Sequence, residues 1–323
     1  MKHKAADGQV TQVSENFIKF DVSLPSGRRE TVAVSQCGTV ADLKTAAQES
    51  LGQRFLRLAA PDGHIFDPAD SLRLSGLQDG DSLTAVAQQP KLAATRFAFA
   101  LWYIGAHTVV TWGNEAAGSY SPTVQQQLRN VQQICGTYGA FAAILADGNV
   151  VTWGSPDYGG DSSRVQHQLR NVQKISGTYQ AFAAILADGS VVTWGNPDCG
   201  GDSSRVQQQL NNVLQICGTL RVFSAILADG SVVTWGYPPY GGDSSRVQQQ
   251  LNNVQQICGT SRAFAAILAN GSVVTWGYPD FGGDSSRVQQ QLRNVQQICG
   301  TYGAFAAIGR WKCSDMGRSR LWW

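Results

Sequence analysis

Thiols are the most regularly repeated side chains in this sequence that could bind a metal or attack an electrophile. Cys135, Cys217, Cys258 and Cys299 occupy one position of a repeated unit, and Ser176 fills it in the remaining copy. A zinc site needs Cys or His paired at short spacing, and one thiol per 41-residue copy is not a ligand cluster. His3, His64, His107 and His167 are scattered and add no pair. The pattern reads as reduced, buried thiols acting as small apolar side chains, with no metal and no cofactor expected. Asp157 and Asp161 could begin a calcium loop, but the segment lacks the alternating oxygen ligands such loops use. There is no nucleophile elbow around a serine, no G-x-x-x-x-G-K phosphate loop and no metal-spaced histidine pair. No catalytic residue is proposed, and a non-catalytic role is expected.

Composition narrows the partners. The 25 basic and 23 acidic residues leave a net charge of +2, and no long block of like charge favours nucleic acid or a membrane surface. No stretch of 18 apolar residues occurs, and the start MKHKAADGQV lacks an apolar run after its lysines, so a cytoplasmic or nuclear protein is expected. A chain of 323 residues suggests two units.

The elements that must position any functional residue come from a repeat. VVTWG occurs five times, with Trp112, Trp153, Trp194, Trp235 and Trp276 spaced 41 residues apart. Around it, QKISGT, AFAAILADGS and VVTWG read as three short strands, with the D-G pair turning the chain between the last two. The strands are nearly continuously apolar, which implies burial on both faces, and their alanines suit closely approaching sheets. Small sheets stacked around an axis satisfy both demands, which points to a β-propeller. In the polar connector, Val206, Leu210 and Val213 fall at helical spacing behind Asp202, Ser203 and Ser204, predicting one or two helical turns that end at Asn212. Five VVTWG strands and five Q-I-C-G-type strands are present, the former type coming first and the latter last. Pairing the two ends of the chain would then close a five-bladed ring without free edges. After Ile308 the repeat gives way to GRWKCSDMGRSRLWW, a divergent tail.

The first ninety residues follow another plan. FIKFDVSLPSGRRETVAV reads as a β-hairpin. A helix follows, capped by Thr39 and Asp42, with Val40, Leu43, Ala47 and Leu51 on one face. Strands around FLRLAAPDGHIF, a turn-rich stretch and a last strand SLTAVA complete the order strand, strand, helix, strand, short strand, strand.

On the hairpin, the helix and the spacing of Leu72, Leu77 and Leu83, residues 16–88 resemble ubiquitin and its β-grasp relatives. The last strand runs on into AVAQQPKLAATR rather than a free Gly-Gly end, so the resemblance implies a docking or spacer role and not conjugation. The unit I-C-G-T, A-F-A-A-I-L-A-D-G-S, V-V-T-W-G resembles the regulator of chromosome condensation repeat family. Its period of 41 is nearer to the compact three-stranded blades of the β-lactamase inhibitor protein II type, and GGDSS stands where the family carries glycine-glutamine-leucine-glycine. The expected fold is therefore mainly β: a disordered N-terminus (1–15), a ubiquitin-like α+β domain (16–88), a linker (89–95), a β-propeller of five 41-residue blades (96–308) and a tail (309–323).

Comparing the copies separates scaffold from candidates. The Trp of VVTWG, the glycine after it and the D-G turn recur as blade elements. Asp161, Asp202, Asp243 and Asp284 with Arg164, Arg205, Arg246 and Arg287 recur as caps or as an ion-pair ring. Variation concentrates in two loops. After the G-T strand stand Tyr138, Tyr179, Leu220 with Arg221, Ser261 with Arg262, and Tyr302; after W-G stand Tyr158, Cys199, Tyr240 and Phe281, beside Ser155, Asn196, Tyr237 and Tyr278. Aromatic and arginine side chains on loop tips are the stuff of protein-binding hot spots, so Tyr138, Tyr158, Tyr179, Arg221, Tyr240, Arg262, Phe281 and Tyr302 are the partner-binding candidates. The expected function is a protein-protein scaffold or adaptor, with a ubiquitin-pathway partner open. The alternative is a regulatory component of an enzyme system, either in guanine-nucleotide exchange on a small GTPase or as the substrate-recognition part of a HECT-type ligase.

Overall fold

The computed structural model describes residues 16–53, 56–104, 109–119 and 122–309. It divides into two compact units, one ending at Gln89 and the other beginning at Pro90. In the first, β1 (Phe17–Ser23), β2 (Arg29–Ser35), α1 (Val40–Leu51), β3 (Leu56–Ala59) and β4 (Ser82–Ala87) form a four-stranded sheet of order β2-β1-β4-β3 with one helix. β1 runs antiparallel to β2 and parallel to β4. The helix starts where a reciprocal capping box forms: Asp42 N–H donates to Thr39 Oγ1 at 3.3 Å, and Thr39 N–H donates to Asp42 Oδ2 at 2.8 Å. It stops at Gly52, in the left-handed region at φ 62°. Val40, Leu43, Ala47 and Leu51 pack into one core with Phe20, Leu58, Leu72 and Leu83. The expected extra short strand is reduced to single bridges, Thr39 to Ser71 and Ala59 to Ile65.

The second unit is a succession of small antiparallel sheets. The first contains β5 (Lys91–Ala94), β6 (Ala98–Trp102) and β7 (Val110–Gly113). The second is β8 (Val131–Gly136), β9 (Ala140–Leu145) and β10 (Val150–Gly154); the third is β11 (Val172–Gly177), β12 (Ala181–Leu186) and β13 (Val191–Gly195). The fourth is β14 (Val213–Gly218), β15 (Val222–Leu227) and β16 (Val232–Gly236), and the fifth is β17 (Val254–Gly259), β18 (Ala263–Leu268) and β19 (Val273–Gly277). The sixth has β20 (Val295–Gly300) and β21 (Phe305–Gly309).

The apolar residues of the middle strands are buried on both faces because sheet packs on sheet. Ala181, Ala183 and Ile185 of the third sheet meet Phe223, Ala225, Val233 and Trp235 of the fourth, and the same division recurs between the other neighbours. First strands of successive sheets lie side by side. That approach demands glycine: a Cβ on Gly218 would lie 2.3 Å from the carbonyl oxygen of Gly177. Each repeated Trp stacks on the Phe of its own middle strand, and Trp153, Trp194, Trp235 and Trp276 also reach back to the preceding loop. Trp194 lies 5.2 Å from Phe182, and its Nε1–H donates to Gly159 O at 3.0 Å.

Three expectations are corrected. The segment 89–95 is not merely a linker, because Lys91–Ala94 forms the first strand of the first sheet. Leu92, Ala93 and Ala94 replace the I-C-G of the other copies, which hid the strand. The count of strands behind a five-bladed closed ring therefore fails. Among the described residues of this unit there are six sheets, five of them three-stranded, and β7 pairs with β6 while β21 pairs with β20. In consequence Trp112 is not a packing element like its counterparts: it is 43% exposed, against 2–4% for the other four. The connectors, finally, differ among copies: the first holds the expected α-helical turn, Pro122–Gln125, whereas later ones hold 3-10 turns such as Gln207–Gln209, and the connectors end at asparagines in the left-handed region, Asn212 among them at φ 54°. Side chains hold these connectors in place. Ser203 Oγ donates to Gln207 Oε1 at 2.7 Å, and Gln207 Nε2 donates to Val191 O at 2.9 Å.

Candidate interaction surface

In every three-stranded sheet of this unit the chain runs along one strand, returns along the next and runs out again along the third, so the G-T turn and the loop after W-G emerge at the same end. Two sets of bonds fix them there. A backbone ladder crosses the sheets: Arg96 N–H donates to Tyr138 O, Tyr138 to Tyr179, Tyr179 to Leu220, Leu220 to Ser261 and Ser261 to Tyr302, each at 3.0–3.1 Å. The threonine of G-T then ties the first loop to the second. Thr137 Oγ1 donates to Tyr158 O at 2.8 Å, Thr178 to Cys199 O at 2.9 Å and Thr260 to Phe281 O at 2.9 Å. After W-G, a 3-10 turn such as Pro238–Tyr240 closes on a left-handed glycine, Gly241 at φ 99°. Because backbone and threonine do the holding, the side chains at the variable positions are free to differ.

Those side chains assemble in two groups. Tyr138, Tyr158 and Tyr179 come together, with ring centroids 5.2 Å apart for Tyr138–Tyr158, 4.2 Å for Tyr138–Tyr179 and 5.7 Å for Tyr158–Tyr179. The guanidinium of Arg96 lies over Tyr138 at 5.1 Å and over Phe97 at 5.5 Å. Burial, with the hydroxyls of Tyr138 and Tyr158 close by, pushes the Tyr179 phenol up to about 12.

Arg262 centres the second group, 4.5 Å from the ring of Phe281, 5.0 Å from Tyr240 and 6.0 Å from Tyr278. Its Nε is buried without an acceptor among the described residues, so ring faces rather than a carboxylate hold this cation. Tyr302 extends the group through Phe281 at 5.8 Å. Arg221 joins by way of Tyr237, over which it lies at 5.0 Å, and Tyr237 touches Tyr240 at 4.9 Å. Among the described residues the one ion pair is Arg28 with Glu30, so the recurrent aspartates and arginines form no ion-pair ring. The aspartates cap instead: Asp202 Oδ1 accepts from Ser204 N–H at 2.9 Å, and this bond holds its carboxyl below the usual range.

Sequence reasoning missed Arg96 and Phe97, since the strand before them went unrecognised; their alignment with Tyr138 through Thr95 and Thr137 was the available signal. It also placed Cys199 among presented loop residues, whereas the side chain is fully buried. The repeat-position thiols differ from the expected full burial: Cys135, Cys217 and Cys258 are partly buried, and Cys299, whose strand has no further sheet beside it among the described residues, is exposed. Burial pushes Cys135 and Cys217 up to about 12, which keeps them protonated and unreactive. Along the outer strand of the fourth sheet, between the connectors that precede and follow that sheet, an open groove of about 740 Å³ is lined by Asp202, Arg205, Tyr237 and Asp243 among others.

No protein-family model matches the chain, and no curated protein matches it significantly. Similar solved structures include RCC1-like proteins. Human WBSCR16 shares 16% identity over 68% of this chain and 75% of its own, at a TM-score of 0.47. Prp20p from Saccharomyces cerevisiae, described with its binding to Gsp1p and histones, shares 13% identity over 70% of this chain and 69% of its own, at 0.45. A designed protein based on ubiquitin shares 22% identity over 21% of this chain and 85% of its own, at 0.20.

Proposed function

We propose that the chain is a non-catalytic scaffold that binds another protein through the loop-borne aromatic and arginine groups of its second unit. The observation that carries this reading is the convergence of side chains that vary between copies onto one end of the sheets, anchored by a backbone that does not vary. Tyrosine and arginine bury large contact area with few rotatable bonds, and loops already held by hydrogen bonds lose little freedom on docking. The chemistry on offer is ring faces, phenol hydroxyls and ring-held guanidinium groups, which suits a polar, partly apolar protein surface.

We read the first unit as a ubiquitin-like β-grasp domain and a ubiquitin-pathway component as one class of partner. The mixed sheet of order β2-β1-β4-β3 and the capped helix packed on it support that assignment. The test is quantitative affinity capture with the wild-type chain, a Tyr179→Ala variant and an Arg262→Ala variant, with thermal melting as the control for folding. Loss of the same captured protein from both variants at unchanged melting temperature is expected. An unchanged set of captured proteins refutes the docking surface.

A further inference from the structure

The inner interfaces of the second unit give every sheet a front and a back. In the second to fifth sheets the front carries the Phe and Trp and receives the preceding sheet, while the back receives the next through Ala, Ala and Ile in the second, third and fifth sheets and through Val222, Ser224 and Ile226 in the fourth. Thus Ile134, Phe141, Val151 and Trp153 of the second sheet pack on Ala98 and Ala100 of the first. At the two ends these surfaces stand open. The front of the first sheet exposes Leu92 (59%), Phe99 (41%), Val110 (57%) and Trp112 (43%), with Phe99 and Trp112 already stacked at 5.4 Å. The back of the sixth exposes Ile308 (55%), whose counterpart Ile267 in the fifth sheet is 5% exposed. The backbone ladder ends in the same polarity. Among the described residues Tyr302 keeps an unused N–H at one end and Arg96 an unused carbonyl at the other, the very pair that each inner step of the ladder joins.

We propose that two copies of this chain join head to tail, the back of the sixth sheet in one copy covering the front of the first sheet in the other. The joint is continuous with the interfaces inside the chain: both halves of the repeated contact exist, one at each end, and both are exposed within one copy. The joint continues the ladder, with Tyr302 N–H donating to Arg96 O of the second copy. It is looser than an inner interface for two reasons. Ala94 stands where the other copies have glycine, and the carbonyl of an adjoining first strand comes within 2.3 Å of such a Cβ in the comparable contact at Gly218. The Trp112 indole also lacks the glycine carbonyl that each inner Trp uses, since Gly282, the last of these loop glycines, already packs on Phe305. Association is therefore reversible, and a contact between unlike faces propagates unless the copies close on themselves.

Sedimentation of the full chain over a range of concentrations tests this. The wild type should gain mass with concentration. Trp112→Asp blocks only the front and Ile308→Asp only the back, and each alone should weaken association by at least about 30-fold, the loss expected for a hot-spot side chain. Mixed together, the two variants should form a dimer that grows no further, because one good front and one good back remain. Ala94→Gly should tighten association, a gain that misfolding cannot imitate. A wild type that stays monomeric throughout overturns the proposal, as does an Ile308→Asp variant that associates like wild type, which means front meets front. Footprinting that finds Trp112 shielded in the monomer overturns it too, because the front is then covered within one copy.

Discussion

Replacing Trp194 by alanine separates a packing role from a binding one, and the chain supplies its own control in Trp112. Trp194 is 4% exposed, stacks on Phe182 with centroids 5.2 Å apart and rings 24° from parallel, and donates Nε1–H to Gly159 O at 3.0 Å. Truncation removes a buried aromatic side chain and opens a cavity between the second and third sheets, at a cost of about 3–5 kcal/mol. Within that total, the lost ring pair accounts for about 1 kcal/mol. The Gly159 carbonyl left without its donor accounts for roughly 1 more. Trp112 has the same neighbours in sequence, yet it is 43% exposed and its indole nitrogen has no partner among the described residues. Trp112→Ala should therefore cost under about 1 kcal/mol at dilutions where the chain is monomeric. The assay is urea unfolding, comparing midpoints at constant slope, since a changed midpoint with unchanged slope reports stability alone. Equal losses for the two variants, or a fully stable Trp194→Ala that no longer binds a partner, would falsify the assignment of this Trp to packing.

Two titrations follow from the same structure. The Tyr179 phenol, raised from 10.0 to about 12, should give a late step in ultraviolet difference spectra, and Tyr179→Phe should remove that step. Its folded value lies above the unfolded one, so the stability it contributes is complete below pH 10 and disappears as the pH rises through 12. Among the cysteines, exposed Cys37 should react with iodoacetamide at pH 8 well before Cys135 and Cys217, whose partly buried thiols are pushed up to about 12 by desolvation. Peptide mass spectrometry reads the order directly, and early labelling of Cys135 contradicts its burial.

The parts of this fold that could be read in the sequence are those where local chemistry and packing agree. Thr39 and Asp42 announce the helix start, and Val40, Leu43, Ala47 and Leu51 announce its buried face. A-F-A-A-I-L followed by D-G and V-V-T-W-G announces a buried hairpin, because no other arrangement hides so many apolar residues beside a tight turn. Lys91–Ala94 could not be read this way. Its four residues lack the isoleucine, cysteine and glycine that mark the other first strands, and what makes it a strand is an edge offered by β6. The Val-x-x-x-Leu spacing marks a true α-helical turn in the first connector, Pro122–Gln125, but misleads at Val206 and Leu210. Val206 and Leu210 do face inward, but Gln207 is drawn to Val191 O and Asn212 turns left-handed, so a single 3-10 turn is all that fits.

The candidate site was half legible, and the reason lies in how the repeat divides its labour. A residue whose side chain holds the fold must be the same in every copy, as Thr178 and Trp194 are. A residue whose backbone alone holds the fold can be anything, and the ladder from Arg96 to Tyr302 puts such residues at the tip of each G-T turn. Variation between copies therefore marks positions released from structural duty, and this is why it could point to Tyr138, Tyr179 and Arg262 before any contact was seen. Variation cannot say which released positions meet in space. That information sits in the lateral step from one sheet to the next, which brings Tyr138 to within 4.2 Å of Tyr179 across 41 residues of sequence and leaves Arg262 ringed by Tyr240, Tyr278 and Phe281. A surface made this way can change its binding chemistry one loop at a time while the sheets beneath it stay as they are.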